Sequence, residues 1–143
     1  MLRTLFAALL LPLALASAGA GEKHRLALQI SDNDADKMNA VLNVAANVSK
    51  FYSDKGEEIE IQIVAFNAGL HMLRDDTSPV KPRLKSFKQG MPNDSFMACE
   101  NTLESMARKE GKEPPLVDNA ERVKAGVVTL IELGEKGWTI VRP

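Results

Sequence analysis

Apolar runs of strand length alternate with helix-forming stretches through most of this 143-residue chain. The stretches between the runs carry apolar residues at three- and four-residue spacing, which is typical of amphipathic helices. Strands that alternate with helices pair in parallel, because each helix returns the chain to the same end of the sheet. We therefore expect an α/β fold with a mainly parallel sheet of about five strands and helices on both faces. Strands are predicted at 24–30, 58–66, 95–98, 122–124 and 138–141, and helices at about 35–55, from 70, from 82, at 102–109 and at 126–136.

Two predicted helix starts lie directly after strands. Either Asp32 or Asp34 is placed to cap the first long helix, because a carboxylate there accepts the free N–H groups of the first turn. The segment 101–104, Asn-Thr-Leu-Glu, has the form of a capping box. It predicts Asn101 as the N-cap of the helix that follows strand 95–98.

Residues 1–20 have the pattern of a secretory signal peptide. Arg3 supplies the positive charge, an apolar run follows from 5 to 16, and small residues around Ala18 and Ala20 offer cleavage sites. The apolar run is shorter than the roughly 20 residues that a membrane-spanning helix needs. We expect cleavage after Ala18 or Ala20, a periplasmic or secreted protein, and a single domain over residues 21–143.

Charge and motif content exclude several classes of function. The 18 Lys and Arg and 19 Asp and Glu leave no basic field for nucleic acid, and no second apolar run predicts membrane contact after signal removal. The sequence has neither glycine-rich nucleotide loops nor zinc-spaced Cys and His residues, so we expect no cofactor and no metal. The pattern at 32–36 resembles the start of a calcium loop, but Lys37 and Asn43 occupy its glycine and glutamate positions.

Cys99 is the single cysteine of the chain and directly follows predicted strand 95–98. It cannot form an internal disulfide, so in an exported protein it either pairs between chains or stays a free thiol. Beside a helix start, backbone N–H groups and the helix dipole favour the thiolate, which is the nucleophile of sulfur chemistry. Packing in the core is the alternative role, because free cysteine is among the residue types most often buried.

Polar residues also follow the first three predicted strands. The carboxyl ends of parallel strands meet at one edge of the sheet, and ligands bind at that edge in open α/β sheets. We therefore expect Cys99 to share this edge with the candidate substrate-binding residues Asn33, Asn67, Gly69, His71 and Asn101. His71 is interpreted either as a base or donor near the thiol or as a loop-capping group.

Four segments, taken together, resemble the DsrE/DsrF-like family over about residues 25–143. They are 29–34, 64–73, 96–103 and 125–128, the last followed by the closing pair at 137–138. The resemblance implies a flavodoxin-like three-layer fold, often assembled as homotrimers or homohexamers. In the sulfur-relay members of that family, a cysteine at the position of Cys99 carries a persulfide. The resemblance therefore implies a thiol-bearing sulfur donor or acceptor as a partner.

Self-association is also expected from two surfaces of the predicted helices. The last helix is apolar on more than one side, which predicts burial by more than one neighbour. Asn39, Asn43 and Asn47 recur every four residues and form one uncharged polar stripe, a candidate subunit seam. A monomer would leave at least one of these surfaces unexplained.

Two functions remain open at this point. In the first, Cys99 binds sulfane sulfur as a persulfide and passes it to another thiol. In the second, the protein is a non-catalytic oligomeric binding module for a small ligand or a protein, and Cys99 is structural. Thiol reactivity separates them, because a carrier needs an accessible cysteine of low pKa.

Overall fold

The structure is a computed structural model that describes residues 23–143, so the predicted signal peptide lies outside the described residues. A single five-stranded sheet has the order β4-β3-β2-β1-β5, and every pair of neighbouring strands is parallel. The predicted α/β fold is confirmed. Its elements are β1 (His24–Ile30), α1 (Ala35–Asp54), β2 (Ile59–Ala65), a 3-10 helix (Asn67–Leu73), α2 (Lys81–Gly90), β3 (Asp94–Cys99), α3 (Glu100–Glu110), β4 (Ala120–Val123), α4 (Gly126–Glu135) and β5 (Thr139–Val141).

The helices divide unequally between the two faces of the sheet. From β1 to β4 each strand is added on the same side of its predecessor, so right-handed connections place α1, α2 and α3 on one face. The connection from β4 to β5 runs back past β1 and places α4 on the other face. Side chains of the strands alternate between the two cores. The larger core includes Leu28, Ile63, Phe96, Leu42, Leu84 and Leu103, and the smaller one Ala27, Val64, Met97, Leu130, Leu133 and Trp138.

The strand register brings the carboxyl ends of four strands to one edge. Ile30 of β1 pairs with Ala65 of β2, and Ala65 pairs with Ala98 of β3. Cys99, the last residue of β3, pairs with Val123, the last residue of β4. The loops that follow these strands therefore meet around the end of β3.

Helix α1 begins as the sequence predicts and packs through its apolar stripe. Asp34 is the N-cap, and its side chain accepts a hydrogen bond from the backbone N–H of Lys37 at 2.9 Å. Part of the asparagine stripe contacts α2 within the same chain. The guanidinium of Arg83 donates to Oδ1 of Asn39 at 2.7 Å and to Oδ1 of Asn43 at 2.9 Å. These two asparagines therefore have a partner inside the chain. The stripe is accordingly a weaker candidate for a subunit interface.

Two helix starts differ from the prediction. The capping box at 101–104 is wrong, because α3 begins at Glu100 and its N-cap is Cys99. The helix predicted from 70 begins at Asn67 as a 3-10 helix, and Asn67 has a positive φ of 50°. Both helices start earlier because the chain turns directly at the sheet edge, where strand pairing stops.

Within the described range 23–143, helix α4 is covered on one side only. Leu130 and Leu133 are buried against the sheet, whereas Val127, Val128 and Ile131 are 51–56% exposed. Among residues 23–143, the predicted burial of α4 by several neighbours is therefore not met, because the other helices described there pack on the opposite face of the sheet. Among the helices of residues 23–143, none is both long and apolar enough to span a membrane.

Candidate functional site

The thiol of Cys99 lies between the start of one helix and the start of another. Cys99 ends β3 and is the N-cap of α3, so it stands closer to the helix start than the capping-box pattern predicted. It is a free cysteine with 5% of its surface exposed. Gly126, the first residue of α4, approaches the same sulfur from the opposite face of the sheet.

Opposing effects act on the pKa of the Cys99 thiol. Burial raises the pKa, because a charged sulfur loses solvation. The Thr102 hydroxyl and the backbone N–H groups of Gly126, Thr102 and Asn101 favour the charged sulfur and lower the pKa, and together they prevail. The sulfur makes no cap hydrogen bond of standard geometry, although it occupies the position where cap side chains meet such N–H groups. The net result is a lowered pKa, the direction that the sequence predicts.

Gly126 permits close packing at its position. A Cβ atom there would lie 3.0 Å from Cβ of Phe66, the residue that follows β2. The absence of a side chain lets the first turn of α4 approach both Phe66 and the thiol. Sequence reasoning did not assign Gly126 to the site; a glycine opening a helix directly after a strand was the available signal.

A cavity of about 640 Å³ adjoins the thiol. Its walls come from the 3-10 helix, from α3 and from the start of α4, and they mix apolar, amide, hydroxyl and charged groups. They are formed by Phe66, Asn67, Ala68, His71, Cys99, Asn101, Thr102, Ser105, Met106, Lys109, Glu110, Ala125, Gly126 and Val127. Four of the predicted site residues, Cys99, Asn67, His71 and Asn101, therefore line one cavity.

Two predicted site residues lie elsewhere. Asn33 is exposed in the loop before α1 and does not line the cavity. Gly69 is buried, and a Cβ atom on it would lie 2.2 Å from the carbonyl oxygen of Ile30. Gly69 thus lets the 3-10 helix rest on the backbone at the end of β1, which is a packing role.

His71 lines the cavity from the 3-10 helix. Its Nδ1 forms a 2.8 Å hydrogen bond with Oγ1 of Thr77, which fixes the ring relative to the loop before α2. The loop-capping interpretation therefore has a contact behind it, and the base or donor role stays a prediction.

A buried arginine holds one wall of the cavity. Arg74 is 3% exposed and makes paired hydrogen bonds of 2.6 and 2.9 Å to Glu110 and of 2.8 Å each to Asp76. These bonds hold the pKa of Asp76 down to about 2 and lower the pKa of Glu110. The guanidinium also lies 3.8 Å from the sulfur of Met106. Glu110 and Met106 are thereby fixed in place, and sequence reasoning gave no signal for this contact between distant segments.

Asn67 contributes its backbone to the site. Its positive φ turns the chain at the end of β2, and its backbone N–H donates to Oγ1 of Thr102 at 3.0 Å. The hydroxyl of Thr102 in turn lowers the pKa of the Cys99 thiol, and both side chains line the same cavity. Within residues 23–143, no group of three or more His, Cys, Asp or Glu side chains is arranged to hold a metal ion.

Fold and site together define a small α/β protein with a buried thiol at the carboxyl edge of a parallel sheet. No protein-family model matches the sequence. No curated protein matches it either. A solved structure of a protein of unknown function from Methanobacterium thermoautotrophicum is similar, with a TM-score of 0.71 and 24% sequence identity over 84% of this chain and 99% of that chain. This likeness shows the shared fold, an α/β arrangement consistent with the flavodoxin-like three layers.

Proposed function

We propose that this protein binds sulfane sulfur as a persulfide on Cys99 and passes it to a second thiol. The observation that carries the proposal is the meeting of two helix N-termini on one buried thiol, whose pKa their N–H groups lower. The resemblance of the segments around Cys99 to DsrE/DsrF-like sulfur-relay members supports the same chemistry.

The transfer needs no redox partner. The Cys99 thiolate attacks the outer sulfur of a donor persulfide, R–S–SH; a new S–S bond forms at Cys99 while the donor S–S bond breaks. The electron pair of the broken bond leaves with the donor as R–S⁻, and the outer sulfur keeps its proton until it ionises. In the return step an acceptor thiolate attacks that outer sulfur, and Cys99 leaves as the thiolate. The N–H groups that lower the thiol pKa also stabilise Cys99 as a leaving group, because a low-pKa thiolate leaves faster.

The cavity beside the thiol favours a donor that is small or extended enough to enter it. A folded protein surface would not reach the buried sulfur directly. Phe66, Met106 and Val127 supply apolar walls, while Lys109 supplies a cationic group. A donor chain carrying a terminal persulfide therefore finds both apolar contact and a counter-charge for its anionic sulfur.

A binding module remains the second candidate because of the low exposure of the sulfur. Only 5% of the Cys99 surface is exposed, as is usual for a cysteine that serves packing. In that case the cavity binds a small ligand or a partner segment without covalent chemistry.

Mass measurement of charged protein separates the two candidates. Reduced protein treated with inorganic polysulfide should gain the mass of one sulfur atom, and dithiothreitol should remove it. Cys99→Ser and Cys99→Ala should fold alike and gain nothing. Slow alkylation of Cys99 at neutral pH, together with absence of sulfur uptake, would favour the binding module and end the carrier proposal.

We also propose that the protein is exported and self-associates as a homotrimer or homohexamer. The pattern of residues 1–20 supports export, and the exposed apolar side of α4 supports association. A thiol-bearing donor or acceptor is the further partner that the carrier role requires.

A further inference from the structure

Thr102 stands between a fixed backbone donor and the reactive sulfur. It is the third residue of α3, and its Oγ1 accepts the backbone N–H of Asn67 at 3.0 Å. Thr102 follows the N-cap Cys99 by three residues, lines the same cavity as the thiol, and its hydroxyl lowers the pKa of that thiol. One hydroxyl group thus links the end of β2, the start of α3 and the nucleophile.

The direction of this short chain of hydrogen bonds follows from its first donor. A backbone N–H donates and never accepts, so one lone pair of Thr102 Oγ1 is occupied by Asn67. The single hydroxyl proton remains free to point elsewhere. A thiolate is an acceptor only, so toward ionised Cys99 the hydroxyl must be the donor.

The conformation of Asn67 fixes the backbone N–H that holds the Thr102 hydroxyl. Asn67 has φ of 50°, and asparagine tolerates this left-handed region better than most residues. This turn presents its N–H to a residue 35 positions further along the chain. Orientation of the hydroxyl is therefore built into the fold before any substrate arrives.

We propose that Thr102 is a positioning residue for the Cys99 thiolate, its hydroxyl held by the Asn67 backbone so that its proton points at the sulfur. The inference rests on the proposed function, since it names a residue that prepares the same thiol. It assigns to Thr102 a task that neither the capping-box pattern nor the resemblance provides.

The charged groups near the thiol are the same in wild type and in the Thr102 variants that test this proposal. His71 from the 3-10 helix and Lys109 and Glu110 from α3 line the cavity, and Glu100 follows the cysteine. On the remaining side, the described part of α4 contributes Gly126 and Val127 to the lining and no titratable side chain. Substitution of Thr102 by a neutral residue leaves all of these groups in place.

The matched control is Thr129→Val in α4. Thr129 is half-buried in the first turn of its helix, as Thr102 is, but its hydroxyl donates to the carbonyl of Ala125 at 3.0 Å. It does not line the cavity. A general effect of replacing a helical threonine by valine should therefore be equal in the two variants.

The experiment measures the alkylation rate of Cys99 against pH in the full exported protein, with thiolate absorbance in the ultraviolet as a second reading. Thr102→Val should raise the midpoint of the alkylation profile by about one pH unit. The reason is that losing one hydrogen bond to a charged group lowers the equilibrium constant for thiolate formation about tenfold. A more basic thiolate is also more nucleophilic, so the rate should fall about threefold below the midpoint and rise about threefold on the alkaline plateau. Thr102→Ser should restore the wild-type profile, and Thr129→Val should leave it unchanged.

The decisive result is that the pH profiles of alkylation rate for wild type and Thr102→Val cross. A change in access or in packing would instead scale the rate equally at every pH. A Thr102→Val midpoint equal to that of the wild type, or a Thr102→Ser midpoint shifted as far as that of valine, would overturn the proposal. If Thr102→Val does not fold, Thr102→Ala is measured in its place with the same criteria. Failure of the carrier role shows separately, as wild-type protein that alkylates with the expected midpoint but takes up no sulfur from polysulfide.

Discussion

Arg74, the residue after the 3-10 helix, and Glu110, the last residue of α3, form a two-pronged ion pair. The two hydrogen bonds measure 2.6 and 2.9 Å, and the arginine side chain is 4% exposed. A planar guanidinium matches a carboxylate in this way, and Arg74 repeats the contact with Asp76. One buried cation therefore joins the two segments that form a wall of the Cys99 cavity.

Replacement of Arg74 should destabilise the fold. Arg74→Ala removes a buried side chain and leaves Asp76 and Glu110 without their common partner, and we expect a loss of about 2 kcal/mol at pH 7 in urea unfolding. Lys88→Ala removes a surface pair with Asp118 and should cost less than about 0.5 kcal/mol.

The effect of Arg74→Ala should also depend on pH. Arg74 lowers the pKa of Asp76 and Glu110 in the folded protein, so its contribution is fully present above their unfolded values. It is lost as pH falls toward the folded pKa of Asp76, about 2. The stability difference between wild type and variant should therefore shrink below about pH 4; a difference that stays constant down to pH 2 would contradict this account.

Gly69→Ala should strain the contact between the 3-10 helix and β1. The added Cβ would lie 2.2 Å from the carbonyl oxygen of Ile30, a backbone atom that cannot move without disturbing the sheet. We expect a loss of about 3 kcal/mol in thermal or urea unfolding. Gly90→Ala is the control, since no atom lies within 4 Å of its added Cβ, and it should be neutral or slightly stabilising. Equal effects of the two substitutions would show that residue 69 packs less closely than described.

Asp94 should make stability fall as pH rises. Burial raises its pKa to about 7, and its Oδ2 is the buried side-chain atom without a hydrogen-bond partner among residues 23–143. The folded protein therefore retains a proton that the unfolded chain releases above about pH 4, so this contribution is present below pH 4 and lost by about pH 7. Asp94→Asn should be more stable than wild type at pH 8 by about 2 kcal/mol, a figure reduced for the partial exposure of the side chain.

The matched variant for Asp94→Asn is Asp118→Asn. Lys88 lowers the pKa of Asp118, so its contribution has the opposite sign and is lost only as pH falls below about 4. Urea unfolding between pH 3 and 8 distinguishes the two trends. A stability difference for Asp94→Asn that does not change over that range would refute the raised pKa.

If the protein associates through α4, a charge introduced on that helix should disrupt the oligomer. Ile131 is 56% exposed at the centre of the apolar side of α4, so Ile131→Glu should shift sedimentation toward the monomer. Phe51→Glu makes the same chemical change on α1, where Phe51 is 54% exposed, and should leave the assembly intact. Wild-type protein that sediments only as a monomer at micromolar concentration would sink the oligomer proposal.

The sequence predicts much of the fold because its signals are local. The apolar runs at 24–30 and 58–66 correspond to β1 and β2 within one residue at each end, and the cap of α1 is one of the two predicted carboxylates. The position of Cys99 at a strand end and helix start is likewise a local property. The capping box fails for a reason outside its four residues: β3 stops pairing at Cys99, and the helix begins at once.

By itself, the sequence determined the order of strands and helices, the parallel sheet and the edge at which Cys99 lies, since periodicity and chain direction suffice for these. The tertiary structure decided which residues meet the thiol. It brought in Thr102 and Gly126, joined Arg74 to Glu110, and left Asn33 and Gly69 outside the cavity. These outcomes depend on contacts between segments some 35 positions apart, such as the Asn67 to Thr102 hydrogen bond, and on close approaches that no local pattern encodes.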